Sequence, residues 1–218
     1  MVKLDILSDP ICPWCYIGKA NLDRALEQHG DHPFEIEWHP FQLNPDMPRD
    51  GMDRREYLET KFGGKDNAIA VYSRIADAAK GAGLEINFEG IKRTPNTLNA
   101  HRLIHWAGIE GRQTRVVNAL FKAYFVEGRD IGDAEVLADI ADSAGLDAAV
   151  VLKLLQGEND VEDIQARDSW AREKGVNSVP TFIVAQRHAV PGAQPPELWA
   201  KVIAELHEAE ETDSAAQT

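Results

Sequence analysis

Hydrophobic and polar positions divide this chain into two mixed ends and a helical middle. The apolar run that starts at Val2 predicts a strand over residues 2–8, and the alternation in Phe34-Glu35-Ile36-Glu37-Trp38 predicts another over about 34–40. A helix over about 12–29 lies between them. The N-terminal end is therefore predicted to be a βαβ unit.

The middle of the chain has a helical pattern for about a hundred residues from Asp53 onward. Alanine and leucine recur, and proline is absent between Asn96 and Ser178. Thr94 is expected to cap one helix, with Pro95 in its first turn. The predicted helices lie at about 53–62, 65–82, from 94 onward, 111–126, 133–144 and 147–155. This segment is therefore predicted to be an all-α insertion.

A mixed pattern returns at the C-terminal end. The predicted elements are a helix over about 159–174, strands over about 181–184 and 187–190, and a helix from Pro195-Pro196 to near Ala209. Residues 210–218 are polar and are predicted to be a disordered tail. The predicted fold class is α/β, with residues 1–43 and 159–209 in one domain and residues 53–155 in an inserted helical domain.

Charge and length narrow the range of functions. The chain has 218 residues and a net charge of -13, which argues against nucleic acid as a partner. No apolar run approaches the roughly 20 residues that cross a bilayer, so no membrane partner is expected. The N-terminal apolar stretch contains an acid, Asp5, and no small-residue cleavage site of a signal peptide follows it. We therefore expect a cytoplasmic protein.

The two cysteines of the chain stand in Cys12-Pro13-Trp14-Cys15, directly after the first predicted strand. If Pro13 opens the helix, Cys12 lies at its N-cap, where free backbone N–H groups and the helix dipole stabilise a thiolate. Cys15 lies one turn further and can reach the same sulfur. This spacing indicates a redox-active pair, because reducing thiols in the cytoplasm disfavour a purely structural disulfide.

A structural zinc site is the alternative that a single CxxC raises. Such a site takes four ligands, usually from a second cysteine or histidine pair. His29, His32 and His39 do not have finger-like spacing. We therefore predict no metal.

The chain resembles a known family at its two ends, in Asp9-Pro10-Ile11-Cys12-Pro13-Trp14-Cys15-Tyr16-Ile17-Gly18-Lys19 and in Ser178-Val179-Pro180-Thr181-Phe182. These segments are similar to the DsbA-like thioredoxin-fold oxidoreductases, specifically the FrnE-type branch. Trp38-His39-Pro40-Phe41, the segment from Asn96 to Arg102 and Gly192-Ala193-Gln194-Pro195-Pro196 also resemble that branch. The resemblance covers nearly the whole chain and implies a thioredoxin fold with a helical insertion between its βαβ and ββα parts.

The resemblance also implies a cis Val179-Pro180 peptide beside the cysteines, where it would offer backbone groups to an extended substrate. An ordinary edge-strand proline is the alternative for Pro180. We expect Cys12 to be the exposed nucleophile and Cys15 the resolving thiol. Pro13 and Trp14 occupy the positions that tune the pair, although Trp14 could instead pack in the core.

Other polar residues have a structural and a functional interpretation. Asn96, with His101 and Arg102, could bind substrate from the insertion, as related glutathione-using proteins place polar ligands on such helices. The alternatives are helix capping by Asn96 and a solvated surface position for Arg102. His39 could carry protons, but its place before a proline at a strand end favours a structural role.

The predicted function is thiol–disulfide exchange through Cys12 and Cys15, without metal or organic redox cofactor. The expected partner is a protein disulfide or a small thiol, with glutathione as a candidate substrate or co-substrate. Two alternatives stay open. One is a glutathione-dependent isomerase or transferase of the 2-hydroxychromene-2-carboxylate isomerase or kappa type, whose members typically have serine at the position of Cys12. The other is a non-enzymatic module whose CxxC senses oxidation.

Overall fold

The computed structural model describes residues 1–30 and 32–216, with the backbone alone for 210–216. Its strands are β1 (Val2–Ser8), β2 (Phe34–Pro40), β3 (Met52–Asp53), β4 (Arg93–Thr94), β5 (Thr181–Val184) and β6 (His188–Pro191). Its helices are α1 (Pro13–His29), α2 (Arg54–Phe62), α3 (Lys65–Gly81), α4 (Leu98–Ile109), α5 (Gln113–Phe125), α6 (Ala134–Ala144), α7 (Ala148–Gln156), α8 (Val161–Glu173) and α9 (Pro196–Ala216).

A four-stranded sheet in the order β2-β1-β5-β6 joins the two ends of the chain. β1 runs parallel to β2, and it pairs antiparallel with β5, so that Ile6 lies opposite both Trp38 and Phe182. The predicted α/β fold with an inserted helical segment is confirmed. The domain limits predicted from the sequence stay a prediction.

The two faces of this sheet have different neighbours, because successive side chains of a strand point to opposite faces. Leu4, Ile6 and Phe182 lie on one face and are fully buried. Phe182 packs edge-on against Trp199 of α9, with ring centroids 4.7 Å apart. Helices α1 and α9 cover this face, which we call the helix-covered face. The residues one position away on each strand form the other face, toward α8.

The insertion packs on α1 through aromatic and aliphatic side chains. Tyr16 of α1 stacks on Phe121 and Phe125 of α5, with centroid distances of 5.1 and 5.4 Å. Ile17 packs with Ile75 of α3. The helix that carries both cysteines is therefore enclosed between the sheet and the insertion.

The insertion was predicted to be all-α, but it contains two short strands. Arg93 and Thr94 form β4, which pairs with Met52 and Asp53 of β3. Thr94 therefore does not cap a helix, and α4 begins only at Leu98, whose N–H donates to the Asn96 side chain at 2.9 Å. Two-residue strands such as these leave no periodic signal in a sequence.

The ends of several helices agree with the sequence. Asp133 accepts the N–H groups of Glu135 and Val136 at the start of α6, and Gly145 ends that helix with a φ of 89°. The last helix continues to Ala216, beyond the predicted end near Ala209. Residues 217 and 218 of the predicted tail lie outside the described residues.

The hairpin between β5 and β6 is a site where stability can be gained. Ala185 and Gln186 have φ values of 53° and 56°, which residues other than glycine and asparagine rarely adopt. We expect replacement of this pair by Asn-Gly to raise the free energy of unfolding by about 1 kcal/mol. Urea unfolding measures the change. Gln186→Ala is the control and should give no gain, since it keeps a non-glycine residue at the same φ; an equal gain in both variants would contradict the argument.

Candidate active site

Cys12 lies at the N-cap of α1, and Pro13 occupies the first turn, as predicted. The backbone N–H groups of Cys15 and Tyr16 donate to the Cys12 carbonyl at 3.0 and 3.2 Å and close the first turn. The Cys12 N–H donates to the Asp9 carbonyl at 2.9 Å, which fixes the loop that leads from β1 into the helix. The positive end of the helix dipole therefore lies at Cys12 and favours negative charge there.

Both cysteines are free thiols and both are buried, with 4% of Cys12 and 1% of Cys15 exposed. The prediction of an exposed Cys12 was wrong. Its thiol donates toward the Val179 carbonyl, with Sγ and O 3.6 Å apart, so the loop before β5 covers the sulfur. Because this loop is distant in sequence, the local pattern around Cys12 could not show it.

Cys15 is held as a neutral thiol. Burial raises its pKa well above the usual thiol value, and the hydrogen-bonded thiol of Cys12 raises that pKa further. The Ser8 hydroxyl and the Asp9 N–H act in the opposite direction, since they stabilise a thiolate at Cys15. A buried, protonated thiol with donors in place suits a resolving cysteine, which ionises only when it attacks.

Trp14, between the two cysteines, is 40% exposed. Core packing is thus not its role, and its indole offers an apolar surface beside the buried sulfurs. The tuning roles of Pro13 and Trp14 stay predictions.

The Val179-Pro180 peptide is cis, as the resemblance implied. Its position is fixed on both sides. The Pro180 carbonyl accepts the N–H of Gly192 at 2.8 Å, and the Thr181 hydroxyl donates to the Ser178 carbonyl at 2.8 Å. The structure therefore brings Cys12, Val179 and Pro180 together, while substrate binding by the last two stays a prediction.

The predicted site residues on the insertion have structural contacts. Asn96 accepts from the N–H of Leu98, accepts from the Gln42 side chain at 3.3 Å, and donates to the Met47 carbonyl at 2.7 Å. Its amide thus holds the loop before α4. No contact places it beside the cysteines within the described residues, so its substrate role stays a prediction without support from this geometry.

Arg102 is buried, so the alternative of a solvated surface position was wrong. Its guanidinium donates to the carbonyls of Leu154, Gly157 and Asn159 at 2.7, 2.8 and 2.7 Å. These carbonyls lie at and after the C-terminal end of α7, where helix carbonyls lack intrahelical partners. Arg102 therefore caps α7, and its substrate role stays a prediction without support from these contacts.

Asp9 is a buried acid of the site that sequence reasoning missed. Its carboxylate accepts the N–H groups of Leu43 and Ile11 at 2.7 and 3.3 Å. Burial nevertheless raises its pKa to about 7. The signal available in the sequence is an acid at the end of a buried strand, three residues before the first cysteine.

His101 lies beside Asp9, with Nε2 and Oδ1 3.9 Å apart. Burial lowers the pKa of this imidazole to about 4, so it is neutral near pH 7. Its Nε2 makes no hydrogen bond to the described residues.

His39 lies on the other face of the sheet, toward α8. Its Nε2 is 2.8 Å from Asp5, and its Nδ1 accepts from Arg167 at 3.2 Å. Both ring nitrogens are thus engaged, which agrees with a structural role. Asp5, Glu37 and His39 also bring their polar atoms within 4.8 Å of one another, a spacing that a metal ion can use.

That cluster does not suit a metal. The Lys3 ammonium lies 2.7 Å from Glu37 and occupies the place of a cation. Because Arg167 donates to Nδ1 of His39, the ring proton lies on Nε2, the nitrogen that would have to bind the metal. The polar atoms of Glu37 and His39 are therefore already engaged by Lys3 and Arg167, which leaves no place for a metal ion in this cluster.

A model of the DSBA-like thioredoxin domain matches residues 3–204 of the chain. Among curated proteins, the uncharacterized protein YwbO of Bacillus subtilis is 29% identical over 206 residues, which cover 94% of this chain and 96% of YwbO. Within the described residues, no helix is long and apolar enough to cross a membrane.

Solved structures with the same fold include a probable DsbA oxidoreductase from Streptomyces coelicolor, at 30% identity and a TM-score of 0.83, with 94% of this chain and 89% of that chain covered. The cytosolic disulfide reductase DsbM from Pseudomonas aeruginosa, solved with GSH, has 18% identity and a TM-score of 0.68, with 94% and 99% covered. A 2-hydroxychromene-2-carboxylate isomerase has 15% identity and a TM-score of 0.73, with 96% and 98% covered. The last two likenesses concern the fold alone.

Gly18 provides a test of the contact that positions Pro180. A Cβ at Gly18 would lie 3.0 Å from Cγ of Pro180 and 3.3 Å from Cα of Ala193, neither of which can rotate away. We expect Gly18→Ala to lower the free energy of unfolding by about 1 kcal/mol, because crowding outweighs the gain in helix propensity. Gly81→Ala in α3 is the matched control. A Cβ there meets no atom within 4 Å, so this variant should be stabilised by about 0.5 kcal/mol in the same urea titration. A gain in both variants would contradict the close approach.

Asp9 makes stability depend on pH in a direction that can be tested. Its pKa is about 7 in the folded protein against an ordinary value of 3.8, so folding favours the protonated carboxyl. Its contribution to stability is therefore complete below about pH 4 and is lost as the pH rises through about 7. We expect the unfolding free energy of the wild type to fall between these values relative to that of Asp9→Asn.

Chemical unfolding at a series of pH values tests this expectation. Asp46→Asn, at an exposed acid, is the control and should follow the wild type across the range. Parallel curves for the wild type and Asp9→Asn would show that Asp9 ionises at its ordinary pH.

Proposed function

Because the chain belongs to the DSBA-like thioredoxin domain family, we propose that it is a cytoplasmic thiol–disulfide oxidoreductase that works through Cys12 and Cys15. The observation that carries the proposal is the different setting of the two thiols. Both are buried, but Cys12 lies at the positive end of α1, whereas Cys15 lies one turn later and is held as a neutral thiol. A nucleophile and a resolving thiol need these two settings.

In the reducing direction, the Cys12 thiolate attacks one sulfur of a disulfide R–S–S–R′. The S–S bond breaks, and the R′ thiolate leaves and takes up a proton. Cys12 is then bound to R in a mixed disulfide. The electron pair of Cys12 forms the new bond, and the electron pair of the broken bond leaves with R′.

Cys15 completes the cycle by attacking the Cys12 sulfur. Its thiol proton passes to the departing R thiolate, so that RSH leaves and a Cys12–Cys15 disulfide remains. Two electrons have then passed from the protein to the substrate. The Ser8 hydroxyl and the Asp9 N–H stabilise the charge that forms on Cys15 during the attack. Two equivalents of a thiol such as glutathione reverse these steps and restore the dithiol, and the oxidising direction uses the same atoms.

Substrate selection is assigned to the surface around Cys12. Val179 presents its backbone next to the sulfur, Pro180 holds that backbone in place, and Trp14 presents an exposed aromatic ring. An extended peptide disulfide or glutathione can use the backbone groups, while Trp14 gives apolar contact. The proposed partner is thus a protein disulfide or a small thiol. The proposed reaction uses no metal or organic redox cofactor. Within its family, we assign the chain to the FrnE-type branch.

Single-cysteine variants test the proposal. We expect Cys15→Ser to accumulate a mixed disulfide with oxidised glutathione, visible by intact-protein mass spectrometry, because Cys12 attacks and no thiol resolves the product. Cys12→Ser should lose reductase turnover on a peptide disulfide. The double variant is the control for non-specific adducts.

The same variants separate the alternatives. Equal residual turnover in both single variants would exclude a two-cysteine cycle, and full activity of Cys12→Ser on a chromene carboxylate would establish the isomerase. Preferential alkylation of Cys15 in the wild type by iodoacetamide would reverse the two roles. Equilibration with a glutathione redox buffer then gives the reduction potential and the favoured direction.

A further inference from the structure

The face of the sheet toward α8 is only partly covered. Leu7, Thr181 and Ile183 point to this face, since their strand neighbours Ile6 and Phe182 are buried on the helix-covered face. Helix α8 packs against the β2 edge of the sheet. Between α8 and the strands β1, β5 and β6 it leaves a cavity of about 940 Å³, which we call the α8 cavity.

The walls of the α8 cavity are mainly apolar. They include Leu7, Val176, Ile183 and Pro191, and Ala189 lies on the β6 side. Sites for small molecules have this composition and a volume of roughly 300–1,000 Å³. The cavity therefore has the size and the surface to hold the apolar part of a small organic molecule.

The charged residues of the α8 cavity are mostly cations. Lys3, Arg167 and Lys174 line it, against one acid, Asp5. This is the opposite of the chain as a whole, whose net charge is -13. Arg167 and Lys174 are seven positions apart on or just after α8, a spacing that places them on the same side of the helix.

Two of these cations are incompletely matched by acids. Lys3 pairs with Glu37, but the Arg167 guanidinium donates to two imidazoles, His39 and His105, at 3.2 and 3.1 Å. Its contact with Glu37 is longer, at 3.8 Å.

The Lys174 ammonium lies over the exposed Trp170 ring, 5.6 Å from its centroid. Among the described residues Lys174 has no ion pair. The cavity therefore combines an apolar interior with positive charge in excess.

We propose that the α8 cavity binds a small organic anion with an apolar body, such as a medium-chain or aromatic carboxylate. The apolar part lies against Ile183, Val176 and Pro191, and the carboxylate lies toward Arg167 and Lys174. This binding is independent of the thiol chemistry, because the cavity and α1 lie on opposite faces of the sheet. Ser178 and Thr181, which flank the Val179-Pro180 peptide, nevertheless line the cavity.

Three ligands with the same ten-carbon chain test the proposal, below their micelle concentrations, by calorimetry on the full chain. They are decanoate, decanol and decyltrimethylammonium. We expect decanoate to bind about tenfold more tightly than decanol, and decyltrimethylammonium to bind most weakly. Equal binding of all three would overturn the proposal, because it would show a merely apolar surface.

Variants locate the binding site. Ala189 is exposed on the cavity wall, so Ala189→Trp should fill the cavity and abolish decanoate binding. Ala166→Phe fills it from α8 and provides a second test in case the first variant folds poorly. Lys174→Gln should weaken decanoate binding about threefold, as loss of one exposed charge does, and leave decanol binding unchanged.

Lys201→Gln is the matched control, since Lys201 is an exposed lysine of α9 on the opposite side of the sheet. It should bind decanoate like the wild type. Unchanged decanoate binding in both filling variants would overturn the proposal. Sedimentation velocity tests whether a second copy of the chain occupies this face instead. A wild-type dimer that Ala189→Trp converts to a monomer would show that it does, and would also overturn the proposal.

Discussion

The close approach of α1 to Pro180 is the constraint on which the rest of the structure depends. Gly18 has no side chain, so the Pro180 ring lies where a Cβ would meet it at 3.0 Å. The pairing of β1 with β5 brings the loop to this place, and the Asn21 amide adds a bond to the Gln194 carbonyl at 3.0 Å. Residues from opposite ends of the chain thereby meet around Cys12. Neither end alone has both the thiol at the helix terminus and the carbonyl of Val179 that lies against it.

Burial shifts the pKa of three ionisable groups near the cysteines. Cys15, Asp9 and His101 are all buried, and burial favours the neutral form of each. For the thiol and the carboxyl this raises the pKa, whereas for the imidazole it lowers it. Below about pH 7, where Asp9 is still protonated, the interior beside Cys12 thus holds little net charge. The helix dipole at Cys12 is then opposed by few nearby charges, which is the setting in which a terminal dipole acts most strongly on a thiolate.

The sequence predicted those features that depend on local pattern. The limits of β1 and β2 follow from apolar runs and alternation, and Asp133 and Gly145 mark the ends of α6 through cap chemistry that involves only neighbouring residues. Features that depend on distant contacts were not predictable in this way. Cys12 is covered by a loop more than 160 positions later, and Arg102 is buried because the carbonyls after α7 need donors. Asp9 belongs to the same class, since its partner Leu43 comes from the loop after β2.

Strand alternation also explains how one sheet can serve two separate sites. Ile6 and Phe182 point toward α1 and α9 and support the cysteine helix, while Leu7 and Thr181, their direct neighbours, point into the α8 cavity. A shift of one residue in the β1–β5 register would exchange these roles and place Lys3 and Asp5 against the core. The charged residues at alternate positions of β1 therefore oppose such a shift, because burying them there would leave charges without partners. Lys3 and Asp5, which line the α8 cavity, thus also help to hold Val179 at the register in which it meets Cys12.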